Sequence, residues 1–178
     1  MKTLYTIGHS THSLDEFVRL LRSHGIQQLI DVRTIPRSRH NPQFNKEEFA
    51  EFLRRRRINY SHAKALGGLR HPRKDSPNLG WRNASFRGYA DYMMTDAFNE
   101  ALDELMLKAR KKRTVLMCAE AVPWRCHRSL IADALVVREW RVFHILSTAS
   151  AQEHKLTPFA RVRAGKLLYP ENATPLPL

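Results

Sequence analysis

Short apolar runs alternate with amphipathic segments along most of the chain. The first run, Leu4-Tyr5-Thr6-Ile7, contains β-branched residues and is followed by the polar Gly8-His9-Ser10, as expected at the end of a buried strand. Similar runs at residues 29–33, 115–118 and 142–146 predict three more strands, and residues 58–60 predict a short one. The pattern therefore indicates short, buried strands spread along the chain.

Helices are predicted between these strands. Ser13 and Glu16 form a capping box that begins a helix, which ends where Gly25 can supply the C-terminal cap. Asn45 is predicted to be the N-cap of a second helix, with Glu48 in its first turn. Two more helices are predicted at about residues 98–109 and 126–138.

This order of elements predicts the fold class. Strands that alternate with helices favour a parallel sheet, because parallel strands need crossover connections and helices then cover both faces. We therefore expect a single α/β domain over residues 1–178, with three α/β/α layers around a mostly parallel, Rossmann-like sheet. Residues 157–169 are expected to form a tail with a short edge hairpin.

Residues 60–90 depart from this pattern, because they lose periodicity and are rich in Gly, Pro, Asn, His and Arg. An ordered loop of this length is uncommon without a function. Its aromatic rings, arginines and glycines are suited to stacking on bases while contacting phosphates. The alternative is a lid whose Trp81, Phe86 and Tyr89 rings pack into the core.

Composition and charge narrow the functional classes. The chain is 43% hydrophobic and 26% charged, which is typical of globular proteins. It has no apolar run of roughly 18 residues and no signal-peptide pattern, so we expect no membrane association and a cytoplasmic location. The net charge of +13 predicts a phosphate-bearing small molecule or a nucleic acid as partner.

Polar side chains follow three of the predicted strands. His9 follows the first strand, Asp31 and Arg33 end the second, and Cys118 and Glu120 come at the end of the strand at 115–118. Ligands of open α/β sheets bind beyond the carboxyl ends of the strands, so we expect these groups to share a pocket. The candidate catalytic residues are His9, Asp31, Cys118, Glu120 and His127.

Residues 118–128 contain both cysteines of the chain. At the start of the predicted helix, unpaired N–H groups together with Arg125 and Arg128 favour an anion and ease the loss of a thiol proton. The segment is therefore predicted to be a phosphate or carboxylate cradle with Cys118 or Cys126 as a candidate nucleophile. The alternative is that both cysteines are small buried hydrophobes. The candidate substrate- or anion-binding residues are Gly8, Ser10, Arg33, Gly67, Gly68, Arg82, Tyr89, Arg125, Cys126 and Arg128.

A metal site is the weaker interpretation of the two thiols. Cys118, Cys126 and His127 could supply three ligands, with Glu120 or His9 as a fourth, but the spacing lacks a Cys-x-x-Cys pair. We therefore expect no metal and no cofactor. A phosphatase-like or rhodanese-like thiol enzyme is an analogy without a motif, since the first arginine after Cys118 is out of register for a phosphatase-type loop.

Several of these motifs together resemble one known family. They are Tyr5-Thr6-Ile7-Gly8-His9-Ser10, Asp31-Val32-Arg33, Pro42-Gln43-Phe44-Asn45, Leu66-Gly67-Gly68, Gly80-Trp81-Arg82-Asn83 and the segment 118–128. From Leu4 to about Tyr169 the chain closely resembles the bacterial and archaeal domain of unknown function DUF488. The resemblance implies a single α/β domain, but no activity, because the family has none assigned. The family's recurring polar residues match Gly8, His9, Ser10, Asp31, Arg33, Gly67, Gly68, Cys118, Glu120, Cys126, His127 and Arg128.

Three functions compete at this point. The first is an enzyme acting on a nucleotide, nucleobase or nucleic acid, with an anion held by residues 118–128 and proton transfer by His9, Asp31 or Glu120. The second is a non-enzymatic nucleic-acid-binding protein that uses the basic segments 54–57 and 108–113 together with the aromatic segment 60–90. The third, which the sequence favours least, is a thiol redox or metal-handling protein.

Overall fold

The computed structural model describes residues 2–171. The strands are β1 (Thr3–Gly8), β2 (Gln28–Asp31), β3 (Asn59–His62), β4 (Thr114–Cys118), β5 (Arg141–Ile145), β6 (Ala151–Glu153), β7 (Arg161–Arg163) and β8 (Lys166–Leu168). The helices are α1 (Leu14–Ser23), α2 (Lys46–Arg55), α3 (Ala84–Tyr92), α4 (Asp96–Ala109) and α5 (Arg128–Val137). The prediction of a mixed α/β fold is confirmed.

Six strands form one sheet in the order β3-β2-β4-β1-β5-β6. The first five in this order are parallel, and β6 runs antiparallel to β5. The prediction of a mostly parallel sheet is therefore confirmed. The expected tail hairpin exists as β7 and β8, but it forms a separate two-stranded sheet instead of an edge of the main one.

The helix starts test the local sequence signals. Ser13 and Glu16 form the predicted capping box, with the Glu16 N–H donating to Ser13 Oγ and the Ser13 N–H donating to Glu16 Oε2. Asn45 occupies the N-cap position of α2, but its side chain does not cap the helix. Its Oδ1 instead accepts the N–H of Ser38 at 2.9 Å, so this residue secures the preceding loop.

Part of the segment 60–90, predicted as a long loop, is helical. Asn83 begins α3 by accepting the N–H groups of Ser85 and Phe86. Gly88 lies inside this helix because a Cβ there would overlap the carbonyl oxygen of Arg70. A glycine within a nine-residue helix hides the helical signal, since Gly disfavours helices by about 1 kcal/mol relative to Ala.

The aromatic rings of this segment lie against the core. Tyr89 is buried, and Trp81 and Phe86 are half-buried. The Trp81 ring packs on Phe159 and Tyr169 at centroid distances of 4.9 and 5.4 Å. These rings therefore pack against the core, as the alternative interpretation of this segment expects.

Two hydrophobic clusters pack on the sheet, and β4 contributes to both. Val115 and Met117 belong to the cluster with α1 and α2, whereas Leu116 and Cys118 belong to the cluster with α3, α4 and α5. This alternation is expected for a central strand with helices on each side. In the part of the chain that is described, no helix has the length and apolar character needed to cross a membrane.

Candidate functional site

The carboxyl ends of β1, β2 and β4 meet at one edge of the sheet. The His9 and Ser10 N–H groups donate to the carbonyl oxygens of Cys118 and Ala119, both at 2.9 Å. Gly8 allows this approach, because a Cβ at that position would overlap the carbonyl oxygen of Glu120. The polar groups selected from the strand ends are therefore brought together by the backbone.

A cavity of about 310 Å³ opens at this edge. Seven of the candidate residues line it, namely His9, Arg33, Gly68, Cys118, Glu120, Cys126 and His127. The other lining residues are Thr34, Ile35, Arg37, Ser38, Leu69 and Ala119. The cavity thus combines residues from the ends of three parallel strands with Cys126 and His127, which directly precede α5.

Asp31 and Arg33 form a buried ion pair at the base of the site. Arg33 Nη2 lies 2.7 Å from Asp31 Oδ2, and Arg33 Nε donates to Asp31 Oδ1 at 3.0 Å. Asp31 also accepts the backbone N–H of Arg33 and the hydroxyl of Tyr60. The two residues thus form a charge-neutral pair, and Arg33 also lines the cavity.

His9 is held as a neutral imidazole. Its ring stacks on Phe44 at a centroid distance of 4.4 Å, and burial lowers its pKa to about 4. Nδ1 lies 2.9 Å from the carbonyl oxygen of Ser10, which can only accept, so we assign the proton to Nδ1. Nε2 then accepts from Arg33 Nη1 at 3.3 Å. Both ring nitrogens therefore have partners within the protein.

The loop after β4 is wrapped around Arg128. This side chain is 1% exposed, and its guanidinium donates to the carbonyl oxygens of Glu120 and Ala121 at 2.5 and 2.9 Å. Its Nη1 also lies 2.6 Å from Cys118 Sγ. Within residues 2–171 no carboxylate forms an ion pair with Arg128, and its Nε has no hydrogen-bond partner.

The two thiols next to Arg128 are electrostatically different. Burial alone would raise the pKa of Cys118, but a hydrogen bond from Cys126 and the charge of Arg128 outweigh it and lower the pKa to about 7. Burial and the neighbouring Cys118 instead raise the pKa of Cys126 well above its ordinary value. The pair therefore favours a thiolate on Cys118 and a protonated thiol on Cys126.

His127 lies beside this pair. Its Nε2 is 3.0 Å from the carbonyl oxygen of Val32, so Nε2 carries the proton and Nδ1 is unprotonated. Nδ1 lies 3.7 Å from Cys126 Sγ, and burial lowers the pKa of His127 to about 4. Gly68 packs against the ring, because a Cβ there would lie 3.0 Å from Nδ1. His127 is thus a neutral base directed at the second thiol.

The first amides of α5 are turned toward their own loop. The Arg128 N–H donates to Cys126 Sγ at 3.5 Å, and the Ser129 N–H donates to the carbonyl oxygen of Cys126 at 3.1 Å. These amides were the basis for predicting an anion cradle. The anion-binding role of residues 118–128 stays a prediction. In this structure the two amides contact Cys126.

A family model described as "Domain of unknown function DUF488" matches residues 13–135. The chain belongs to this family. Searches of curated proteins and of solved structures found no match. The matched range includes the Asp31–Arg33 pair and residues 118–128, whereas Gly8, His9 and Ser10 of this DUF488 protein precede it.

Eight candidates lie outside the cavity lining of this DUF488 domain: Gly8, Ser10, Asp31, Gly67, Arg82, Tyr89, Arg125 and Arg128. Gly8, Ser10, Asp31 and Arg128 support the lining residues through the contacts above. Gly67 packs closely on Thr34, where a Cβ would meet Oγ1. Arg82 is exposed and lines neither this cavity nor the second one beside it.

The second cavity, of about 290 Å³, adjoins the first. The two share Gly68, Leu69, Glu120, Cys126 and His127 as lining residues. Tyr89 and Arg125 line only the second cavity, and the Tyr89 hydroxyl is already bonded to the carbonyl oxygen of Leu66 at 2.7 Å. The candidate site of this DUF488 protein is therefore a groove with two lobes.

Sequence reasoning missed one wall of the first lobe. Thr34, Arg37 and Ser38 line it and follow directly after the Asp31–Arg33 pair. Thr34 Oγ1 donates to the carbonyl oxygen of Gly68 at 2.9 Å, which joins this wall to the opposite side of the groove. Their sequence signal is their position within five residues after Arg33, at the end of the second predicted strand. Across residues 2–171 no group of three or more His, Cys, Asp or Glu side chains is placed to hold a metal ion.

Proposed function

We propose that this DUF488 protein is an enzyme that acts on a nucleotide, nucleobase or nucleic acid, with the thiolate of Cys118 as its nucleophile. One observation carries the proposal. Arg128 is buried, it has no carboxylate partner among the described residues, and its guanidinium lies 2.6 Å from Cys118 Sγ at the wall of a cavity.

The charge state of Cys118 follows from this contact. A guanidinium cannot lose its proton in a protein, and an isolated charge in the interior is strongly unfavourable. Cys118 is the one group bonded to the Arg128 side chain that can become an anion, since the other two acceptors are carbonyl oxygens. A thiolate is the reactive form of cysteine, so this contact supports a nucleophilic role.

The charges inside the cavity compensate each other in pairs. Asp31 neutralises Arg33, Cys118 neutralises Arg128, and burial keeps His9 neutral. Such a floor suits an uncharged group better than a phosphate. A nucleobase is an uncharged ring with electrophilic carbons, and it fits this environment.

Phosphates would then bind at the rim of the groove. Arg37 lines the first lobe and Arg125 lines the second, both are exposed, and neither forms an ion pair with a described residue. Free guanidinium groups are well suited to phosphate oxygens. A ligand with a neutral ring and a phosphate would satisfy both the floor and the rim.

Glu120 is the proposed proton-transfer group. It is exposed, it lines both lobes, and it lies two residues after the nucleophile. In the proposed reaction, Cys118 Sγ bonds to an electrophilic carbon of the substrate as the bond from that carbon to its leaving group breaks, and the leaving group departs with the electron pair and takes a proton from solvent. Water then attacks the same carbon while Glu120 takes its proton, and the C–S bond breaks to return the thiolate to Cys118. His9 and Asp31 position Arg33 at the base of the site.

We also propose that the helices and the sheet form three layers. The division of the helices between two clusters supports three α/β/α layers with a Rossmann-like sheet, in which ligands bind beyond the carboxyl ends of the strands. A cytoplasmic location, which the sequence predicts, would keep both thiols reduced.

A panel of nucleosides, nucleotides and short DNA and RNA strands tests this proposal. Each compound is incubated with wild-type protein and with Cys118→Ser, and both product formation and covalent mass on Cys118 are measured. We expect turnover or an adduct in the wild type only. Arg37→Ala should raise KM about tenfold, whereas Arg110→Ala, at the opposite edge of the sheet, should not. Turnover retained in Cys118→Ser would overturn the nucleophile.

A non-enzymatic nucleic-acid-binding protein remains the second candidate. The exposed Arg110, Lys111 and Lys112 form no ion pair within the described range and favour it. The other basic segment is partly neutralised, because Arg54 and Arg55 both pair with Glu51. Salt-dependent binding of DNA or RNA that is unchanged in Cys118→Ser and Glu120→Gln, without any turnover, would favour this candidate.

A further inference from the structure

We infer that Cys118 and Cys126 form a peroxide-sensitive dithiol, in which oxidation of Cys118 is followed by closure of a Cys118–Cys126 disulfide. The oxidation itself needs no assigned substrate. Only its consequence for turnover, the loss of the nucleophile, rests on the proposed function.

The two sulfur atoms contact the same residue. Arg128 donates to Cys118 Sγ through its guanidinium and to Cys126 Sγ through its backbone N–H. Cys126 also lies close enough to Cys118 for its thiol to lower the pKa of Cys118. Both cysteines are free, and both line the first lobe of the groove. Adjacent thiols are the geometric requirement for a disulfide.

Access to the pair is narrow. The two residues are only 2% and 5% exposed, yet both line the first lobe of the groove. Hydrogen peroxide is little larger than water and can enter a cavity of about 310 Å³, whereas a folded protein cannot. The site therefore selects a small oxidant.

The surroundings assign different roles to the two thiols. Cys118 faces the cation of Arg128, which favours its thiolate, and thiolates are the form that peroxide oxidises. Cys126 keeps its proton, and the unprotonated Nδ1 of His127 lies 3.7 Å from its sulfur. Cys118 is thus the thiol that reacts with peroxide, and Cys126 is the resolving thiol that then attacks Cys118. The other charged or titratable groups at this wall of the cavity are His9, Arg33, Arg37 and Glu120.

The chemistry balances with hydrogen peroxide as the oxidant. The Cys118 thiolate attacks one peroxide oxygen, the S–O bond forms as the O–O bond breaks, and hydroxide leaves and is protonated to water. His127 Nδ1 then takes the Cys126 proton, and the Cys126 sulfur attacks the Cys118 sulfur. The S–S bond forms, the S–O bond breaks, and the second hydroxide takes the proton back from His127. The dithiol has lost two electrons to the peroxide.

Closure of the disulfide changes the environment of Arg128. The thiolate is its one anionic contact among the described residues, and the disulfide carries no charge. The guanidinium is then left with two carbonyl oxygens and an unpartnered Nε. A buried charge without a counter-charge destabilises the folded state. The oxidised protein should therefore melt at a lower temperature and be easily reduced by a dithiol reagent.

Mass spectrometry of intact wild-type protein treated with hydrogen peroxide tests this inference. We expect loss of the mass of two hydrogen atoms, a single peptide crosslink between Cys118 and Cys126, full reversal by dithiothreitol and a lowered Tm. In Cys126→Ser the reaction should stop at a sulfenic acid on Cys118 that a dimedone-type reagent traps. In Cys118→Ser the rate of oxidation at Cys126 should fall about tenfold or more, because no thiolate initiates the reaction.

Two results would overturn the inference. One is progressive over-oxidation of Cys118 in the wild type without any crosslink, which would show that Cys126 does not resolve the sulfenic acid. The other is equal oxidation of both cysteines in their single variants. The nucleotide panel tests the proposed function separately. If the panel shows no turnover but the disulfide forms, the proposed function is refuted and the inference about the dithiol stands.

Discussion

Helix α5 carries two buried polar clusters that differ in how completely their polar groups are paired. Near its start, Arg128 contacts Cys118 and the loop after β4. Further along, Asp133 accepts bonds from His154, from the hydroxyls of Thr157 and Tyr169, and from the Thr157 N–H. The second cluster continues through His154 and His144 to the hydroxyl of Thr6 on β1.

The Asp133 cluster is closed and the Arg128 cluster is open. Both carboxylate oxygens of Asp133 have partners inside the protein, and neither Asp133 nor its partners line the two lobes of the groove. Arg128 has an unpartnered Nε, and its thiol contact faces a cavity. Buried polarity is common to both clusters, so it does not identify a site. Incomplete pairing together with contact with a cavity distinguishes the candidate site from the Asp133 cluster.

Replacing Asp133 tests the closed cluster and has the largest expected effect. Asp133→Ala leaves several donors without an acceptor in a site that is 0% exposed. We expect a loss of about 3–5 kcal/mol in the free energy of unfolding, because removing one partner of a buried charged network is strongly destabilising. Urea denaturation measures this change.

The matched control is Asp103→Ala, an exposed aspartate on α4, which should change the free energy of unfolding by less than about 0.5 kcal/mol. Alkylation of Cys118 by iodoacetamide should keep its rate in the folded fraction of Asp133→Ala. If the Asp133 variant were as stable as the control, or if it altered the rate of alkylation, the two clusters would not be separate.

Replacing Arg128 tests the open cluster. Arg128→Met keeps a long apolar side chain but removes the charge beside Cys118. The pKa of Cys118, which is about 7 in the wild type, should return toward 9.0 or higher. At pH 7 the thiolate fraction then falls from roughly one half to roughly 1%, and alkylation should slow about tenfold or more. The rate of iodoacetamide labelling at Cys118, followed by mass spectrometry, measures this effect.

Arg138→Met is the control for this experiment, since Arg138 lies at the other end of α5 and bonds to Asn99. It should leave the labelling rate unchanged. An Arg128→Met protein that folds and still reacts at the wild-type rate would show that the cation does not set the reactivity of Cys118, and the open cluster would then be structural.

The pH dependence of stability gives a third, smaller test. The folded pKa of Cys118 is lowered from 9.0 to about 7, so between these values the unfolded state binds a proton that the native state does not. Stability from this group is complete above about pH 9 and is lost as pH falls through about 7. Relative to Cys118→Ser, the wild type should gain about 2 kcal/mol between pH about 6 and about 9.

Urea denaturation of both proteins across this range measures the difference. Cys126 does not reverse the trend within it, because its raised pKa keeps it protonated. The buried histidines titrate in both proteins and cancel in the comparison. A difference that is flat, or that falls with rising pH, would exclude a Cys118 thiolate in the folded protein.

The cavity beside the open cluster was partly predictable from the sequence, and for a simple reason. His9, Asp31 and Cys118 each follow an apolar run, and parallel strands bring their carboxyl ends to one edge. Local periodicity therefore indicated which residues converge. The burial of Arg128 was not predictable, because an arginine at a helix start is usually exposed, and here the loop closes over it.

The closed cluster was missed altogether. Thr6, Asp133, His144 and His154 come from different elements and form no local motif. Their contact depends on the packing of α5 against β5 and on the course of the chain after β6, which hydrophobic periodicity does not encode. Helix α3 was missed for a local reason, since Gly88 interrupts its pattern where residue 70 crosses it.

The smallest expected effect comes from Tyr169→Phe, and it separates the clusters most finely. The substitution removes one hydroxyl bond to Asp133 Oδ2 at 2.8 Å and keeps the buried ring, while the Thr157 hydroxyl still donates to that oxygen. We expect a loss of about 1 kcal/mol in the free energy of unfolding, the usual contribution of one hydrogen bond.

Tyr92→Phe is the control, because its hydroxyl bond to the carbonyl oxygen of Ala65 is exposed and should contribute less. Neither variant should alter the rate at which Cys118 is alkylated. A change in that rate in Tyr169→Phe alone would mean that Asp133 and Arg128 are coupled along α5, and the closed cluster would then be part of the site.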